Sequence, residues 1–502
     1  MNLKNFVLTQ FERLNPRLVG AVEKPLKAIP FVNRRLEQEY AAIMADLEHE
    51  LKPYRGEFAS YARLPENGRA PADILADIQT LTHREEARWK EGFVSGAVFY
   101  GDDDHIQFLN QAANLAAASN ALHAHVWPSA SKFEAEVVAM TADMLGAAHT
   151  PDDICGTLTS GGTESILMAM KTYRDWARDT KGITQPEVIA PVTAHAAFDK
   201  AAHYFGLKLV HIPVDDNFRA DWIAAKNAIN KNTIAMVGSA PTFPHGMIDP
   251  ISEMSALAQE AGIGFHVDAC VGGFVLPWAE KLGYHLPPFD FRLPGVTSMS
   301  ADTHKYGLAA KGSSVVLYRT PELRRYQYFV VTDWPGGMYF SPSMAGSRPG
   351  AAAAATWAAL VSIGQSGYLE RTRRILETAQ FIRQEIETMP NLRVLGDPLF
   401  IIAFTSDNFD IYRVMDRLGQ KGWSLNGLHK PSCIHIMVTN LHTQPGVKER
   451  LIADLREAVT FVQANPQAES GLAPVYGMAA SLPARGVVGD MLKRYLDLLY
   501  KV

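Results

Sequence analysis

Between residues 91 and 349 the apolar positions of the chain alternate between two kinds of pattern. Short, continuously apolar stretches at 208–214, Thr233–Ser239, Gly264–Asp268, 296–300 and Ser314–Tyr318 predict buried strands. Between them, 221–229 and 252–261 repeat their apolar residues at helical spacing, as do Ile166, Leu167, Ala169, Met170, Tyr173 and Trp176. Strands that alternate with helices predict an α/β unit, a mainly parallel sheet covered on both faces. Beyond Gly350 the pattern changes. An alanine-rich segment at 350–363 reads as a buried helix connecting domains. A helix at 371–389, strand-like runs at 392–395 and 400–404, and a helix at Val447–Ala464 follow, predicting a smaller α+β domain. Residues 1–90 are helical in character and close on a polar, proline-punctuated stretch at 64–71. The expected division is therefore 1–90, 91–349 and 350–502. Low complexity is confined to the alanines at 351–355.

Composition narrows the function classes. With 502 residues, 47% hydrophobic and 20% charged, the chain can bury a large core and exceeds one average domain. A net charge of −5 gives no polyanion-binding surface, so nucleic acid is not an expected partner. Cys155, Cys270 and Cys433 are scattered and odd in number, which suits a reducing compartment and a cytoplasmic location. No signal-peptide pattern is apparent. The 350–363 stretch, interrupted by Thr356, falls short of the ~20 residues of a membrane span. Lys4, Arg13, Arg17, Lys24, Lys27, Arg34 and Arg35 face only Glu12 and Glu23 as acids, while Leu3, Phe6, Val7, Phe11 and Leu14 share one helical face. That face is expected to pack on a partner subunit, with weak contact to an anionic bilayer surface as the alternative use.

Four motifs carry chemistry. Thr159-Ser160-Gly161-Gly162-Thr163-Glu164-Ser165 opens a helix, and glycines there let an anion approach the unpaired first-turn amides. His195 lies at a strand-to-helix junction in 190–198, where an imidazole can lie flat on a ring. Asp268 ends the strand-like run from Phe265, the end of a parallel strand at which ligands bind. Lys305 follows His304 in Ser300-Ala301-Asp302-Thr303-His304-Lys305-Tyr306-Gly307, just after a strand. Singly, each has an ordinary structural explanation: a helix cap, a satisfied histidine, a turn-capping aspartate, a solvated lysine. Their order decides the matter. Phosphate cradle, stacking histidine, carboxylate for a pyridine nitrogen and Schiff-base lysine fit the parts of pyridoxal 5′-phosphate (PLP) in turn.

From residue 94 to about residue 476, and most strongly over 156–350, the chain resembles the sphingosine-1-phosphate lyase family, in the decarboxylase-like branch of fold-type I PLP enzymes. The blocks 159–167, 195–202, 266–274 and 300–307 carry the resemblance, with Phe243-Pro-His-Gly-Met-Ile-Asp-Pro250, Lys311-Gly-Ser-Ser314 and Gly346-Ser-Arg-Pro-Gly350. It implies PLP held by Gly161, Gly162, Thr163, His195, Asp268, His304 and Lys305. It also implies a homodimer with shared active sites, in which Ser347 reaches the partner's PLP phosphate. Asn120, His123, Tyr100 and Lys311 are implied as substrate-binding groups. The chain departs from the family pattern at three positions: Phe99 stands where tyrosine is usual, Leu308 where an aromatic hydroxyl is common, and His125 where aspartate is usual.

The implied reaction is retro-aldol cleavage of a phosphorylated sphingoid base to a long-chain aldehyde and phosphoethanolamine. His195, Lys305 and Lys311 are the candidate bases for the substrate's 3-hydroxyl. The alternative reading is a PLP-dependent amino-acid decarboxylase, which shares His195, Asp268 and Lys305. A catalytically silent PLP-fold binding protein is a third, disfavoured by the retention of Lys305 and Asp268.

Overall fold

The structure is a computed structural model that describes residues 28–465 and 485–502. The basic amphipathic face before Pro16 lies outside them. The large sheet has seven strands, β1 Cys155–Thr159, β2 Glu187–Pro191, β3 Lys208–Ile212, β4 Thr233–Ser239, β5 Gly264–Asp268, β6 Ser298–Ala301 and β7 Ser314–Tyr318, in the order β1-β7-β6-β5-β4-β2-β3. β7 runs antiparallel to both β1 and β6, and all other neighbours are parallel. The carboxyl ends of β1, β2, β4, β5 and β6 therefore share one edge, where α/β sheets place their ligands.

Continuous burial explains why these strands show no polar alternation. Every residue of β2, β4, β5, β6 and β7 is buried. Successive side chains go to two separate cores. Val188, Ile234 and Val316 pack with Ile166, Met170 and Phe198 on one face, while Ile189, Met236, Phe265 and Met299 pack with Ile251 and Met254 on the other. The edge strand β3 is half-exposed.

Two of the expected strands are shorter or shifted: 208–214 ends at Ile212, and 296–300 becomes Ser298–Ala301. The separately expected helices at 350–363 and 371–389 form one helical stretch, Gly350–Glu387, broken at Gly364 by φ 59° and ψ −179°. That left-handed φ is open to glycine and strained for a residue with Cβ. The N-terminal region holds the helices Pro30–Leu51 and Pro71–Glu86, each starting on a proline. A second sheet, order β10-β11-β13-β12, is antiparallel throughout, with β10 Arg393–Val394, β11 Ile401–Thr405, β12 Asn426–Leu428 and β13 Cys433–Met437. A hairpin, β8 Phe329–Val331 with β9 Tyr339–Ser341, lies between the two sheets in sequence. Among the described residues no helix is long and apolar enough to cross a membrane.

Candidate active site

At the carboxyl edge of the large sheet a cavity of about 420 Å³ is lined by residues from five chain segments, among them Gly162, His195, Phe243, Asp268, His304 and Lys305. β1 delivers the first segment. Thr159 Oγ1 and Ser165 Oγ lie 2.6 Å apart, and Ser165 Oγ is 2.8 Å from Ser314 Oγ on β7, which fastens the start of the helix Gly162–Lys181 to the sheet. Glu164 accepts hydrogen bonds from the Ser160 amide at 2.7 Å and from the Met344 amide at 3.0 Å, joining the helix start to the segment after β9. A Cβ on Gly162 would fall 2.7 Å from both carboxylate oxygens of Asp302 and 2.9 Å from Cys270 Sγ. Only glycine fits there, so the first-turn amides open onto the cavity.

Asp268 is the last residue of β5. Its Oδ1 accepts from the Cys270 amide at 3.0 Å and from Ser300 Oγ at 3.3 Å. The turn-capping role and the cavity-facing role are thus combined in one side chain. His195 Nδ1 accepts the Ala197 amide at 3.1 Å, which orients an otherwise exposed ring toward the cavity it lines.

Lys305 follows β6. Its Nζ lies 3.0 Å from Asp302 Oδ2, with the lysine side chain 24% and the aspartate side chain 2% exposed. Burial alone would lower the ammonium's pKa, but the Asp302 carboxylate, with Cys270 and Asp268 beyond it, raises it on balance. The other oxygen, Asp302 Oδ1, is buried and has no hydrogen-bond partner, a vacancy in polar pairing that a bound polar group would fill. His304 donates from Nδ1 to the Ser313 carbonyl at 2.6 Å, and burial holds its pKa below the usual imidazole value. Asp302, which lines the cavity and pairs with Lys305, is not singled out by the sequence pattern. Its position one turn before Lys305 was the available signal.

Other sequence-derived candidates stand elsewhere. Lys311 Nζ lies over the Phe99 ring, 5.1 Å from its centroid, and Lys311 adjoins in sequence Gly312, which lines the cavity. Partial burial and then the charge of Lys305 lower its pKa. Phe99 is packed edge-on against Tyr306 at 5.0 Å, and Leu308, at φ 55°, presents its carbonyl to His105 Nε2 at 2.9 Å. The Tyr100 hydroxyl bonds Asp103, away from the cavity lining. Asn120 and Ser347 are brought together, and neither they nor His123 line the Lys305 cavity. Asn120 Nδ2 donates to Ser347 Oγ at 3.1 Å, Asn120 Oδ1 accepts the Arg348 amide at 3.2 Å, and the His123 and His125 rings are perpendicular at 5.9 Å. Arg348 pairs with Glu134 at 3.2 Å. A larger cavity, about 570 Å³, lies by Arg219 and Arg383. Those guanidiniums are paired with Asp215 and with Glu387 and Asp397, so we place the chemistry in the smaller cavity, which holds the lysine.

The donor set fits PLP: a lysine for its aldehyde, glycine-opened helix amides for its phosphate and a buried strand-end carboxylate for its ring nitrogen. Residues 60–402 match the family described as the pyridoxal-dependent decarboxylase conserved domain. The fold is shared with Lactobacillus brevis glutamate decarboxylase (TM-score 0.70, 20% identity, 84% of this chain and 99% of that one). Fold and site together define a fold-type I PLP-dependent enzyme. Sequence relatives narrow this further. The sphingosine-1-phosphate lyase of Arabidopsis thaliana is 46% identical over 96% of this chain and 89% of its own length. Sphingosine-1-phosphate lyase 1 of Rattus norvegicus is 45% identical over 98% and 87%. The solved Burkholderia pseudomallei sphingosine-1-phosphate lyase superposes with TM-score 0.83 at 43% identity, over 89% of this chain and 99% of that one. The chain belongs to the sphingosine-1-phosphate lyase family.

Proposed function

We propose that the protein cleaves the Cα–Cβ bond of sphingosine-1-phosphate or a related phosphorylated sphingoid base, releasing a long-chain aldehyde and phosphoethanolamine. The observation that carries this reading is Lys305, held 3.0 Å from Asp302 in a cavity that also presents Asp268, His195 and the start of the helix Gly162–Lys181, with Lys311 adjoining the lining residue Gly312 in sequence. PLP, when bound, supplies an electron sink for the bond that breaks.

The chain's own residues supply attachment, orientation and proton handling. Lys305 would be the attachment point for PLP, Asp268 would pair with its ring nitrogen, His195 would stack on it, and Gly161, Gly162 and Thr163 would hold its phosphate, with His304, bonded to the Ser313 carbonyl, a further cofactor-binding group. Lys311 receives the substrate's phosphate: burial and then the charge of Lys305 lower its pKa, and a bound anion would offset both. His195, Lys305 and Lys311 remain the candidate groups to take the 3-hydroxyl proton.

Asn120, His123 and Tyr100 serve as substrate-binding groups, and Ser347, bonded to Asn120, reaches the PLP phosphate in the site of a second subunit. This reading is supported by the absence of Ser347 from the lining of its own chain's cavity and by its pairing with Asn120. Residues 91–349 then form the cofactor-binding domain, 350–502 the smaller domain, and 1–90 an N-terminal segment. The three buried free thiols suit a reducing, cytoplasmic setting.

The test is product analysis. Sphingosine-1-phosphate should yield equal amounts of long-chain aldehyde and phosphoethanolamine with no carbon dioxide. Carbon dioxide from an amino acid, with no aldehyde from the phosphorylated base, would move the protein to the decarboxylase reading.

A further inference from the structure

Phe243 and Pro241 border the Lys305 cavity from the loop that follows β4. Part of this loop is closed on itself: the Thr242 amide donates to the Met247 carbonyl at 2.8 Å and the Gly246 amide to the Thr242 carbonyl at 3.0 Å. Asp249, fully buried, receives the Ser239 and Ala220 amides at 2.8 and 2.7 Å and fixes the loop's far end. None of these bonds reaches Pro244 or holds the Phe243 ring. That contact comes from the second sheet.

His435, fully buried in the middle of β13, donates from Nδ1 to the Pro244 carbonyl at 2.9 Å. Its ring meets Phe243 edge-on, with centroids 4.9 Å apart and planes at 73°. Its Nε2 accepts from Asn426 Nδ2 at 3.0 Å. Asn426 uses its second N–H on Ser95 Oγ at 3.1 Å, and Ser95 Oγ also receives the Met437 amide at 2.9 Å. Every polar atom in this chain of bonds has a defined role, so the imidazole has one tautomer and one orientation. A buried, fully paired network of this kind rigidifies what it touches, and what it touches here is a residue of the cavity wall.

We infer that His435 is a positioning residue: through the Pro244 carbonyl and the Phe243 ring it sets the wall of the substrate cavity from the second sheet. Phe243 is then a specificity-determining residue, an apolar wall placed for the alkyl part of the substrate rather than for PLP. This rests on the proposed cleavage of a phosphorylated sphingoid base, and the experiment separates the two.

The variants are His435→Gln, which keeps an acceptor toward Asn426 and loses the donor to Pro244, and His435→Asn, which keeps a donor where Nδ1 stood. Both are compared with Phe243→Ala and with the double variant His435→Gln/Phe243→Ala, all as PLP-loaded full chains. Loss of a partner for a part-buried carbonyl should raise KM for sphingosine-1-phosphate about tenfold. In His435→Gln, kcat and PLP absorbance should stay near wild type, and His435→Asn should recover most of the loss. The double variant should be no worse than Phe243→Ala alone, because both changes remove one placement. Amide exchange at Thr242 and Gly246 should also quicken in His435→Gln, a readout that needs no turnover. Wild-type KM together with wild-type exchange in His435→Gln, or full additivity in the double variant, overturns the inference. A wild-type protein that cleaves nothing removes the functional reading instead, and exchange alone then decides the positioning role.

Discussion

Two groups of polar side chains in this protein are built very differently. The group around Lys305 is sunk into the carboxyl edge of the sheet. Asp268 and Asp302 are nearly inaccessible, and each is fixed by neighbours on β5, β6 or the turn after it. The group formed by Asn120, His123 and Ser347 is half-buried to exposed and sits where residues 119–123 meet the start of the helix Gly350–Glu387. It adjoins the β8–β9 hairpin, since a Cβ on Gly346 would lie 2.5 Å from the Tyr339 hydroxyl. That hairpin exposes Phe329, Val330, Trp334, Met338 and Phe340. Clustered exposed apolar residues of this kind mark an association surface. The Lys305 group is thus fixed by burial within one chain, while the Asn120–Ser347 group stands beside an exposed apolar hairpin.

Changes in the buried half should therefore be the most damaging. Lys305→Ala should abolish turnover and remove the covalent link, so that borohydride fixes no label on the chain and absorbance near ~420 nm is lost. Retained label at another lysine would break the comparison at its strongest point. An intermediate effect is expected at Lys311. Lys311→Ala should lower kcat/KM for the phosphorylated substrate by roughly 10–100-fold, the loss of one charge-assisted contact, with PLP content unchanged. Equal loss of PLP and turnover would move Lys311 into the cofactor half.

The smallest effect concerns pH. Burial raises the Asp249 carboxyl, against the opposing amides of Ala220 and Ser239, to about 7 from an ordinary 3.8. A carboxyl whose folded value is raised in this way contributes stability that is fully present below about pH 4, the unfolded value. That contribution is lost as pH rises through about 7. The thermal midpoint of the wild type should thus fall relative to that of Asp249→Asn between those pH values. Parallel curves would show that Asp249 does not titrate there.

Much of the buried half was legible in the chain. Gly162, His195, Asp268 and Lys305 stand at or just past the carboxyl ends of β1, β2, β5 and β6, which run parallel and so bring these ends to one edge. The sheet's order was not legible. Fully buried strands read alike whether parallel or antiparallel, so nothing local marks β7 as reversed between β1 and β6. Asp302 was hidden for a different reason. It lies inside the lysine motif, and its unpaired oxygen exists only once Gly162 and Cys270 close over it. The exposed group was named residue by residue through family resemblance, yet no periodicity could say that Asn120 and Ser347, so far apart in sequence, would bond each other. The β8–β9 hairpin escaped because its apolar residues face outward, where a buried-strand pattern does not apply.

On the proposed reading, a working site joins the Lys305 half of one subunit to the Asn120–Ser347 half of another. The most direct test is complementation between two inactive proteins, Lys305→Ala and Asn120→Ala/Ser347→Ala, unfolded, mixed in equal amounts and refolded with PLP. A mixed dimer carries both defects in one site and none in the other. Random reassembly should therefore restore about a quarter of wild-type aldehyde release from sphingosine-1-phosphate. If the mixture stays as inactive as its parts while refolded wild type recovers, each chain holds its entire site and the shared-site account is wrong.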